Sequence, residues 1–592
     1  MKAEVRSQKS GVRSRKSGVR SQNLARAVKP ATSPVRWLYI AAAGLAVIVA
    51  FWAYSPALHG SFLFDDTVMP FALRNPNAPL REWLRNVRPA LYFTYWVNSR
   101  ISPDDPFSFH VLSVIIHCIT SGLIFLNVRR LLEWAGAESS RRDLLAGFAA
   151  ALFLLHPVQT EAVAYLAGRS EALSVMFFFA AFAIFLYRRQ TAVSWRAAAT
   201  ILFFFALALL SKEHTIVLPA LLLATDYWWN PGFSLAGIRA NWRLYAPTAL
   251  GALAGVAMFW KLIIASPSAG FSLKDFTWYQ YFFTQCRALF VYLGTFLLPV
   301  NLNADWDYPI SRTILDRGAI FGLIALAALS ALAWRYRRRF RLASYGWFVF
   351  LLLMVPTSSI IPIRDALAER RLYLSMPGLL LIAVDFLGRW KVERKALAAA
   401  CLVVALLAAG ATHARAAVWV SPLDLWQDTV QKSPGKSRVH FQLGMAYFDN
   451  GRPDLAVAEY EKTAQIEPAD YGLLVDWALA LDKLNQPDQA LAKLRQAAAL
   501  KPTAHVHTQI ALIYAERAQW KPALEALDTA EKVDPNFAMI YVYRGNIRLK
   551  QTPPDPCAAI AEYRRALALD STLAEAQRNL QLAQQEARGA CR

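Results

Sequence analysis

Two different sequence patterns divide this chain of 592 residues. About ten apolar segments of helix length fill residues 37–418, whereas a 34-residue repeat of mixed polarity fills residues 437–574. Apolar runs of about 17 or more residues are typical of membrane-spanning helices, and a fixed period of this length is typical of an α-solenoid. The sequence therefore predicts an all-α fold, with a polytopic membrane domain of about 11 spans followed by a solenoid.

The chain is strongly basic, with a formal net charge of +22. A basic soluble face would suggest a nucleic-acid partner. Here the Lys and Arg residues cluster at the ends of apolar runs, where the positive-inside rule places them. We therefore interpret the charge as a signal of membrane topology and predict no nucleic-acid partner.

The five cysteines show no metal-ligand spacing. Most of them lie in apolar or helical context, so neither a zinc site nor a disulfide framework is predicted. Cys557 and Cys591 could form a disulfide in an oxidising compartment.

Basic clusters also predict the orientation of the spans. Residues 1–36 form a basic tail, predicted to be disordered and cytoplasmic. Further clusters, all predicted to be cytoplasmic, lie at residues 129–142, 188–196, 239–243, 335–341 and 389–395. Between neighbouring clusters the chain must cross the membrane an even number of times, so one of the three apolar segments between 243 and 335 should not span. The middle segment, residues 278–299, contains polar side chains and is predicted to be re-entrant or interfacial.

The membrane domain, residues 37–418, is then predicted to cross eleven times from an inside N-terminus. This odd count places the first outer loop, residues 56–109, on the outer side, periplasmic or lumenal. It places the C-terminal repeats on that side as well.

The repeats resemble the tetratricopeptide repeat (TPR). Pro434, Pro468, Pro502 and Pro535 recur at nearly constant spacing, and alanines occupy the close helix contact in each repeat. A solenoid over residues 437–592 with a capping helix from Glu575 to Ala587 is predicted. Residues 419–436 read as a degenerate half-repeat that docks the solenoid onto the last membrane helix. The solenoid favours a concave groove for a protein acceptor or partner, although the same residues could serve only to pack helices.

The first outer loop carries two adjacent carboxylates, Asp65 and Asp66, just beyond the first apolar segment. The loop continues through Arg88-Pro89-Ala90-Leu91 to Pro106-Phe107-Ser108-Phe109-His110. Acidic side chains against the bilayer are candidates for catalysis. They also cap helices or bind arginine, so both interpretations stay open.

Polar residues interrupt two further apolar segments. The first cluster runs from His156-Pro157 through Glu161 to Gly168-Arg169-Ser170-Glu171, and the second is Ser211-Lys212-Glu213. Because a proline breaks an apolar helix and exposes its backbone, these groups should line a protein or water cavity and not face lipid.

A fourth cluster contains Arg364, Asp365, Glu369, Arg370 and Arg371 on a predicted outer loop, against the positive-inside trend. Arginines in this position need an anion. The anion could be a phosphate, which a forked guanidinium fits well. Alternatively, the arginines could pair internally with Asp365 and Glu369.

Together these motifs resemble those of the transmembrane-and-TPR O-mannosyltransferases, members of the GT-C class of polyprenyl-phosphate-dependent glycosyltransferases. The motifs, in chain order, are F-x-D-D, R-P-x-L, P-F-x-F-H, H-P-V-x-T-E-A-V with G-R-x-E, S-K-E and A-E-R-x-L-Y-L, followed by TPRs. The resemblance covers residues 37–592. Arg371 stands where the family more usually has an aromatic residue, and the repeat array is short.

The resemblance implies an inverting transfer of a sugar from a polyprenyl-phosphate donor to a hydroxyl acceptor, Ser or Thr of an envelope protein. Asp65 or Asp66 would be the catalytic base, with Asp65 favoured. Arg370 and Arg371, then Arg169 and Lys212, would bind the donor phosphate. The other site candidates are Arg88, His156, Glu161, Glu171, Glu213 and Glu369. No dedicated metal site is predicted, although a divalent cation is possible.

Two other classes of function stay open. A non-enzymatic membrane scaffold would use the solenoid to organise an envelope complex and would tolerate changes in the polar loop clusters. A transporter or lipid flippase would place ionisable residues opposite one another within the membrane, a pattern that the sequence does not show. Within the enzyme class, a glycan- or lipid-directed transferase is the alternative to a protein-directed one.

Overall fold

The computed structural model describes residues 34–69, 78–103, 105–188, 191–251, 270–271 and 273–587. Two compact units are distinguished, Met1–Ala46 and Val47–Arg592. The first unit contributes only the beginning of the helix Pro34–Tyr54 to the described chain. Every regular element in the described ranges is a helix. The predicted all-α class is confirmed.

The membrane half is built from helices of very different lengths. Its α-helices are Pro34–Tyr54, Leu80–Leu84, Pro89–Ile101, Phe107–Trp134, Ser139–Leu155, Thr160–Val163, Arg169–Leu186, Trp195–Leu209, Leu218–Trp229, Ala236–Ala240, Trp278–Leu297, Ala319–Arg335, Arg341–Met354, Leu372–Arg389 and Arg394–Ala417. Short 3-10 helices occupy Ser55–His59, Phe64–Val68, Pro157–Gln159, Glu213–Val217, Asp316–Gly318 and Glu369–Arg371. Four of these 3-10 helices contain predicted site residues or directly follow one.

Six described helices are long and apolar enough to cross a membrane. They lie at Trp37–His59, Phe107–Trp134, Arg169–Leu186, Asp316–Arg335, Glu369–Arg389 and Arg394–Ala417. The helix Trp278–Leu297, predicted not to span, is not among them. The eleven crossings stay a prediction, because much of the apolar segment 244–264 lies outside the described residues. The tail up to residue 33 lies outside them too.

Pro157 breaks an apolar helix, as predicted. The helix Ser139–Leu155 ends before it, and the following pair of short helices runs to Val163 at an angle of 50°. His156 adopts an extended backbone, the conformation that a following proline favours. The bend directs the next residues away from the helix axis and into the interior of the domain, where Glu161 is buried.

The solenoid consists of antiparallel helix pairs. Its helices are Ser437–Asp449, Pro453–Ile466, Tyr471–Lys483, Pro487–Leu500, Ala504–Glu516, Trp520–Val533, Met539–Lys550, Pro556–Leu569 and the capping helix Ala574–Glu586. The contact alanines, Ala456, Ala490, Ala523 and Ala559, are fully buried. A Cβ on Gly444 would lie 2.5 Å from the ring of Tyr460, so only glycine allows this close helix contact.

The segment between the two halves is a helix, Pro422–Lys432, which packs on the first solenoid helix. Its Asp428 accepts a hydrogen bond of 2.7 Å from Arg415 near the end of the last membrane helix. Trp426 is buried. The solenoid therefore docks next to the last membrane helix through this segment.

Candidate functional site

The first carboxylate of the predicted outer loop, Asp65, is exposed. It follows Phe64, whose φ of 46° is rare for a bulky residue. The backbone N–H of Asp65 donates to the hydroxyl of Tyr165 over 3.1 Å. Strained residues of this kind persist where the surroundings fix them, and they concentrate at functional sites. The loop thus presents the Asp65 side chain at its surface from a fixed backbone.

Its neighbour Asp66 is buried, with 1% of its surface exposed. One carboxylate oxygen accepts the N–H of Leu63 at 3.1 Å, and the other accepts the N–H of Ala167 at 2.7 Å. Burial raises the pKa of Asp66 to about 7, although these backbone donors favour the charged form. Asp66 therefore fastens the loop to the residues before Arg169.

The residues that hold this loop belong to one short stretch, 161–171, which we call the connecting segment. Tyr165 and Ala167 contact the acidic loop. Burial and the nearby charges of Asp66 and Asp65 raise the pKa of Tyr165 well above its usual value. Gly168 allows the segment to fold tightly, because a Cβ there would lie 2.4 Å from the carbonyl oxygen of Glu161.

The two ends of the connecting segment bind cations. Glu161 accepts the backbone N–H of Arg370 at 2.8 Å and forms an ion pair with its guanidinium. Glu171 forms an ion pair with Lys212 and lies 3.1 Å from His214. The connecting segment thus joins the acidic loop to two of the predicted phosphate ligands.

A second ion pair lies beside Lys212. Arg88 donates to both carboxylate oxygens of Glu213, at 3.1 and 2.7 Å. Burial raises the pKa of Glu213, but the charge of Arg88 outweighs it and the pKa falls to about 2. Burial and the nearby charges of Arg88 and Arg370 lower the pKa of Lys212, although Glu171 opposes them. Three cations and three carboxylates therefore meet in one cluster, which we call the ion-pair cluster: Arg88, Lys212, Arg370, Glu161, Glu171 and Glu213.

Two predicted phosphate ligands form hydrogen bonds within the protein in this structure. Arg169 is fully buried and donates to Ser113, Thr94, Asn98 and the carbonyl of Phe109. Arg371 is also buried, and it donates to the hydroxyl of Tyr281 and to the carbonyls of Ala366 and Asp365. These contacts correct the expectation that Arg169 and Arg371 face an open anion site.

His156 and Glu369 likewise have structural contacts. The Nε2 atom of His156 lies 3.0 Å from the carbonyl oxygen of Phe296, and its ring stacks on that side chain. Glu369 accepts the backbone N–H of Asn303. Internal pairing of the two arginines with the Asp365 and Glu369 side chains, the alternative to a phosphate, is not seen either. Arg370 pairs with Glu161, and Arg371 donates to backbone carbonyls.

The carboxylate of Asp365 instead receives Arg438 of the solenoid at 2.8 Å. Asp305, in the loop after the helix Trp278–Leu297, receives the same arginine at 2.7 and 2.6 Å and also binds Lys436. Sequence alone does not indicate this contact, because Arg438 is 73 residues from Asp365 and 133 residues from Asp305, and no local pattern links them. We call it the docking contact.

The acidic loop also touches the segment that leads to the solenoid. The ring of Phe64 meets Trp426 edge-to-face, with centroids 5.6 Å apart. The N–H of Ser61 donates to the carbonyl of Val420 at 3.0 Å. A Cβ on Gly60 would lie 3.0 Å from the carbonyl oxygen of Trp419, so the backbones approach closely. Asp65 is therefore positioned from both sides, by the connecting segment and by the beginning of the solenoid.

This combination defines a class of protein: a multi-span helical membrane domain with a polar site on its loops and a docked TPR solenoid. The family model "Tetratricopeptide repeat" matches residues 437–470. Protein O-mannosyl-transferase TMTC3 of Mus musculus is 25% identical over 621 residues, covering 90% of this chain. Protein O-mannosyl-transferase TMTC1 of Homo sapiens is 26% identical and covers 72% of it. The similarity to the transmembrane-and-TPR O-mannosyltransferases is thus confirmed over most of the chain.

A protein O-mannosyl-transferase of Caenorhabditis elegans is 24% identical and covers 70% of the chain. The chain spans 61% of the length of this relative and 64% of that of the mouse protein. Among solved structures, the TPR protein YrrB is 18% identical, with a TM-score of 0.23, over 26% of this chain and 80% of its own.

Proposed function

We propose that the protein is a membrane glycosyltransferase that moves mannose from a polyprenyl-phosphate donor to Ser or Thr of a protein acceptor, with inversion. The names of the relatives support mannose transfer to protein. The observation that carries the proposal is the connecting segment, which contacts the acidic loop at Tyr165 and Ala167 and binds Arg370 at Glu161. A base and a phosphate ligand are thereby held by one buried element.

Geometry limits the separation of the two groups. Tyr165 lies four residues after Glu161, so their Cα atoms are at most about 14 Å apart. Asp65, which donates to Tyr165, and Arg370, which donates to Glu161, are therefore held near each other by one short stretch of chain. Direct transfer with inversion needs this arrangement, with the base beside the acceptor hydroxyl and the cation beside the leaving phosphate.

The proton of the acceptor must be removed as its oxygen attacks the anomeric carbon. Asp65 serves as the base, because it is the exposed carboxylate of the loop, whereas both oxygens of Asp66 hold backbone N–H groups. The bond from the anomeric carbon to the phosphate oxygen breaks as the new bond forms. The released polyprenyl phosphate carries an additional negative charge, which a positioned guanidinium stabilises.

Arg370 serves as that guanidinium. Its side chain is 32% exposed and its ion-pair partner is Glu161. Its planar fork retains further N–H donors for phosphate oxygens. The side chain of Lys212 is 15% exposed and forms an ion pair with Glu171 in the ion-pair cluster. It adds a second positive charge near Arg370.

The direct test uses purified full-length protein, an envelope protein acceptor and a panel of polyprenyl-phosphate sugars. The mannose donor is expected to add a hexose to Ser or Thr, detected by mass spectrometry, and the product anomer should be opposite to that of the donor. A retained anomer would exclude single-step transfer by this site. Absence of transfer with every donor and acceptor, from protein that binds acceptor through the solenoid, would favour the scaffold alternative.

The phosphate role predicts a result for Arg370→Lys. The charge that balances Glu161 remains, but the forked donor pair is lost, so the KM for the donor is expected to rise roughly ten-fold. Arg371→Lys is the matched control, because Arg371 donates to the loop carbonyls of Ala366 and Asp365. This variant should lower the melting temperature without changing the donor KM. If the two variants change the donor KM equally, Arg370 does not bind the phosphate.

A further inference from the structure

A cavity of about 320 Å³ lies where the ends of four helices of the membrane domain meet. The helices Phe107–Trp134, Arg169–Leu186 and Leu218–Trp229 end there, and Arg341–Met354 begins there. Arg130, Arg188, Arg341, Trp134 and Trp229 line it. We call it the arginine cavity.

The arginine cavity is remote from the acidic loop. Near the beginning of the helix Phe107–Trp134, His110 lies 3.2 Å from the carbonyl oxygen of Gly60 in the first outer loop. Trp134 ends the same helix 24 residues later, which corresponds to about 36 Å at 1.5 Å per residue. The basic residues around the cavity are those predicted to be cytoplasmic, so the cavity belongs to the opposite membrane surface from the proposed transfer site.

Only two of the three guanidinium groups in the cavity have a carboxylate partner among the described residues. Arg130 pairs with Glu133 at 2.8 Å, and Arg188 pairs with Asp226 at 2.6 Å. Arg341 donates to the carbonyl of Trp228, and no ion pair of this arginine is found among the described residues. Three cations thus face two carboxylates, which leaves one positive charge without a partner.

Two buried donors point to a missing acceptor. The Nε atom of Arg341 and the Nε1 atom of Trp229 are both buried and have no hydrogen-bond partner among the described residues. The guanidinium of Arg341 lies over the ring of Trp229, 4.3 Å from its centroid. Leaving a buried N–H unpaired is unfavourable, so the pair of donors favours an anionic ligand that accepts from both.

We propose that the arginine cavity binds the phosphate of an anionic phospholipid headgroup. Basic pockets between membrane helices on the cytoplasmic side suit such headgroups, and tryptophans are typical of this depth. An apolar surface for the acyl chains adjoins the cavity, because Leu126 lies one helical turn before Arg130 on the same face and is 40% exposed. Ile119 continues this surface.

The test is lipid binding to the delipidated full chain, followed by native mass spectrometry. Phosphatidic acid is expected to be retained in preference to phosphatidylcholine with the same acyl chains. Arg341→Gln should weaken its binding about ten-fold or more, since a charge-assisted contact to phosphate is lost. Arg196→Gln, an exposed arginine outside the cavity with the same predicted orientation, should leave binding unchanged.

Trp229→Phe keeps an aromatic ring, although a smaller one, and removes the unpaired N–H. It tests the site if Arg341→Gln does not fold, and a several-fold loss is expected. Millimolar inorganic phosphate should compete with phosphatidic acid if the headgroup phosphate is recognised. Tight binding of inorganic phosphate that phosphatidic acid cannot displace would reject the lipid as the source. Equal retention of both lipids, or equal losses in the cavity and Arg196 variants, would reject the site.

Discussion

Replacing Asp65 by Asn is expected to lower the turnover of sugar transfer by about 10²- to 10⁴-fold, the usual contribution of a general base. The substitution keeps the size of the side chain and its capacity for hydrogen bonds. The N–H of residue 65 still reaches Tyr165, because that contact uses the backbone. The fold should therefore persist, and the measurement is the rate at saturating donor and acceptor.

Asp66→Asn is the matched control, since it changes the adjacent residue in the same way. One of its two backbone contacts, to Leu63 or Ala167, loses its acceptor. This variant should lower the melting temperature through a loss of roughly 1–3 kcal/mol of stability. Near-normal turnover in Asp65→Asn, together with a large loss in a folded Asp66→Asn protein, would transfer the role of base to Asp66. Near-normal turnover in both would remove this loop from the mechanism.

The sequence predicted the parts of the structure that depend on local pattern. The break at Pro157 follows from the chemistry of proline, and the burial of the contact alanines, such as Ala456, follows from the repeat. Both signals are complete within one repeat or one helix. The non-spanning assignment of the helix Trp278–Leu297 rests on its own polar residues in the same way and stays a prediction.

The use of each polar side chain could not be predicted, because it depends on partners distant in the chain. Arg169, Arg370 and Arg371 look alike in sequence, each lying within two residues of a glutamate. In the structure Arg370 meets Glu161, 209 residues away, while Arg169 and Arg371 donate mainly to hydroxyl and carbonyl groups. Burial decides between these roles, and burial is a property of the packed domain.

Tyr165 shows the same limitation at the site itself. It lies in a motif that the sequence analysis singled out, four residues after Glu161. Its hydroxyl contact with Asp65 crosses 100 residues of chain. A disulfide between Cys557 and Cys591 is one of the alternatives that the sequence leaves open, and Cys591 lies outside the described residues; Cys118, Cys286 and Cys401 are free.

Replacing Asp305 by Ala is expected to release the solenoid from the membrane domain. The side chain of Asp305 is 7% exposed and binds both Arg438 and Lys436, so its removal leaves Asp365 as the one carboxylate shared by the two cations of the docking contact. Loss of one partner from a fully buried ion pair costs about 3–5 kcal/mol, and the cost here is smaller because Asp365 still pairs with Arg438. Protease cleavage between residues 419 and 436 should become much faster, and hydrogen exchange should increase in the loop that contains Asp305.

Asp488→Ala is the matched control. Asp488 also pairs with an arginine, Arg517, at 2.6 Å, but its side chain is 82% exposed. Exposed pairs contribute about 0–1 kcal/mol, so this variant should leave cleavage and exchange unchanged. If the two variants behave alike, the docking contact does not hold the solenoid.

If the solenoid positions the acceptor and the membrane domain binds the donor, releasing the solenoid should affect only the acceptor. Trp426 packs on Phe64 beside the proposed base, so the beginning of the solenoid has a fixed position relative to Asp65. An acceptor bound to the solenoid is then presented to the base from a defined direction, as intramolecular reactions require. Asp305→Ala should therefore reduce transfer to a folded protein acceptor while leaving the KM for the donor unchanged. An equal loss with a short Ser/Thr peptide, which does not need the solenoid, would mean that the docking contact supports the catalytic loop and does not position the acceptor.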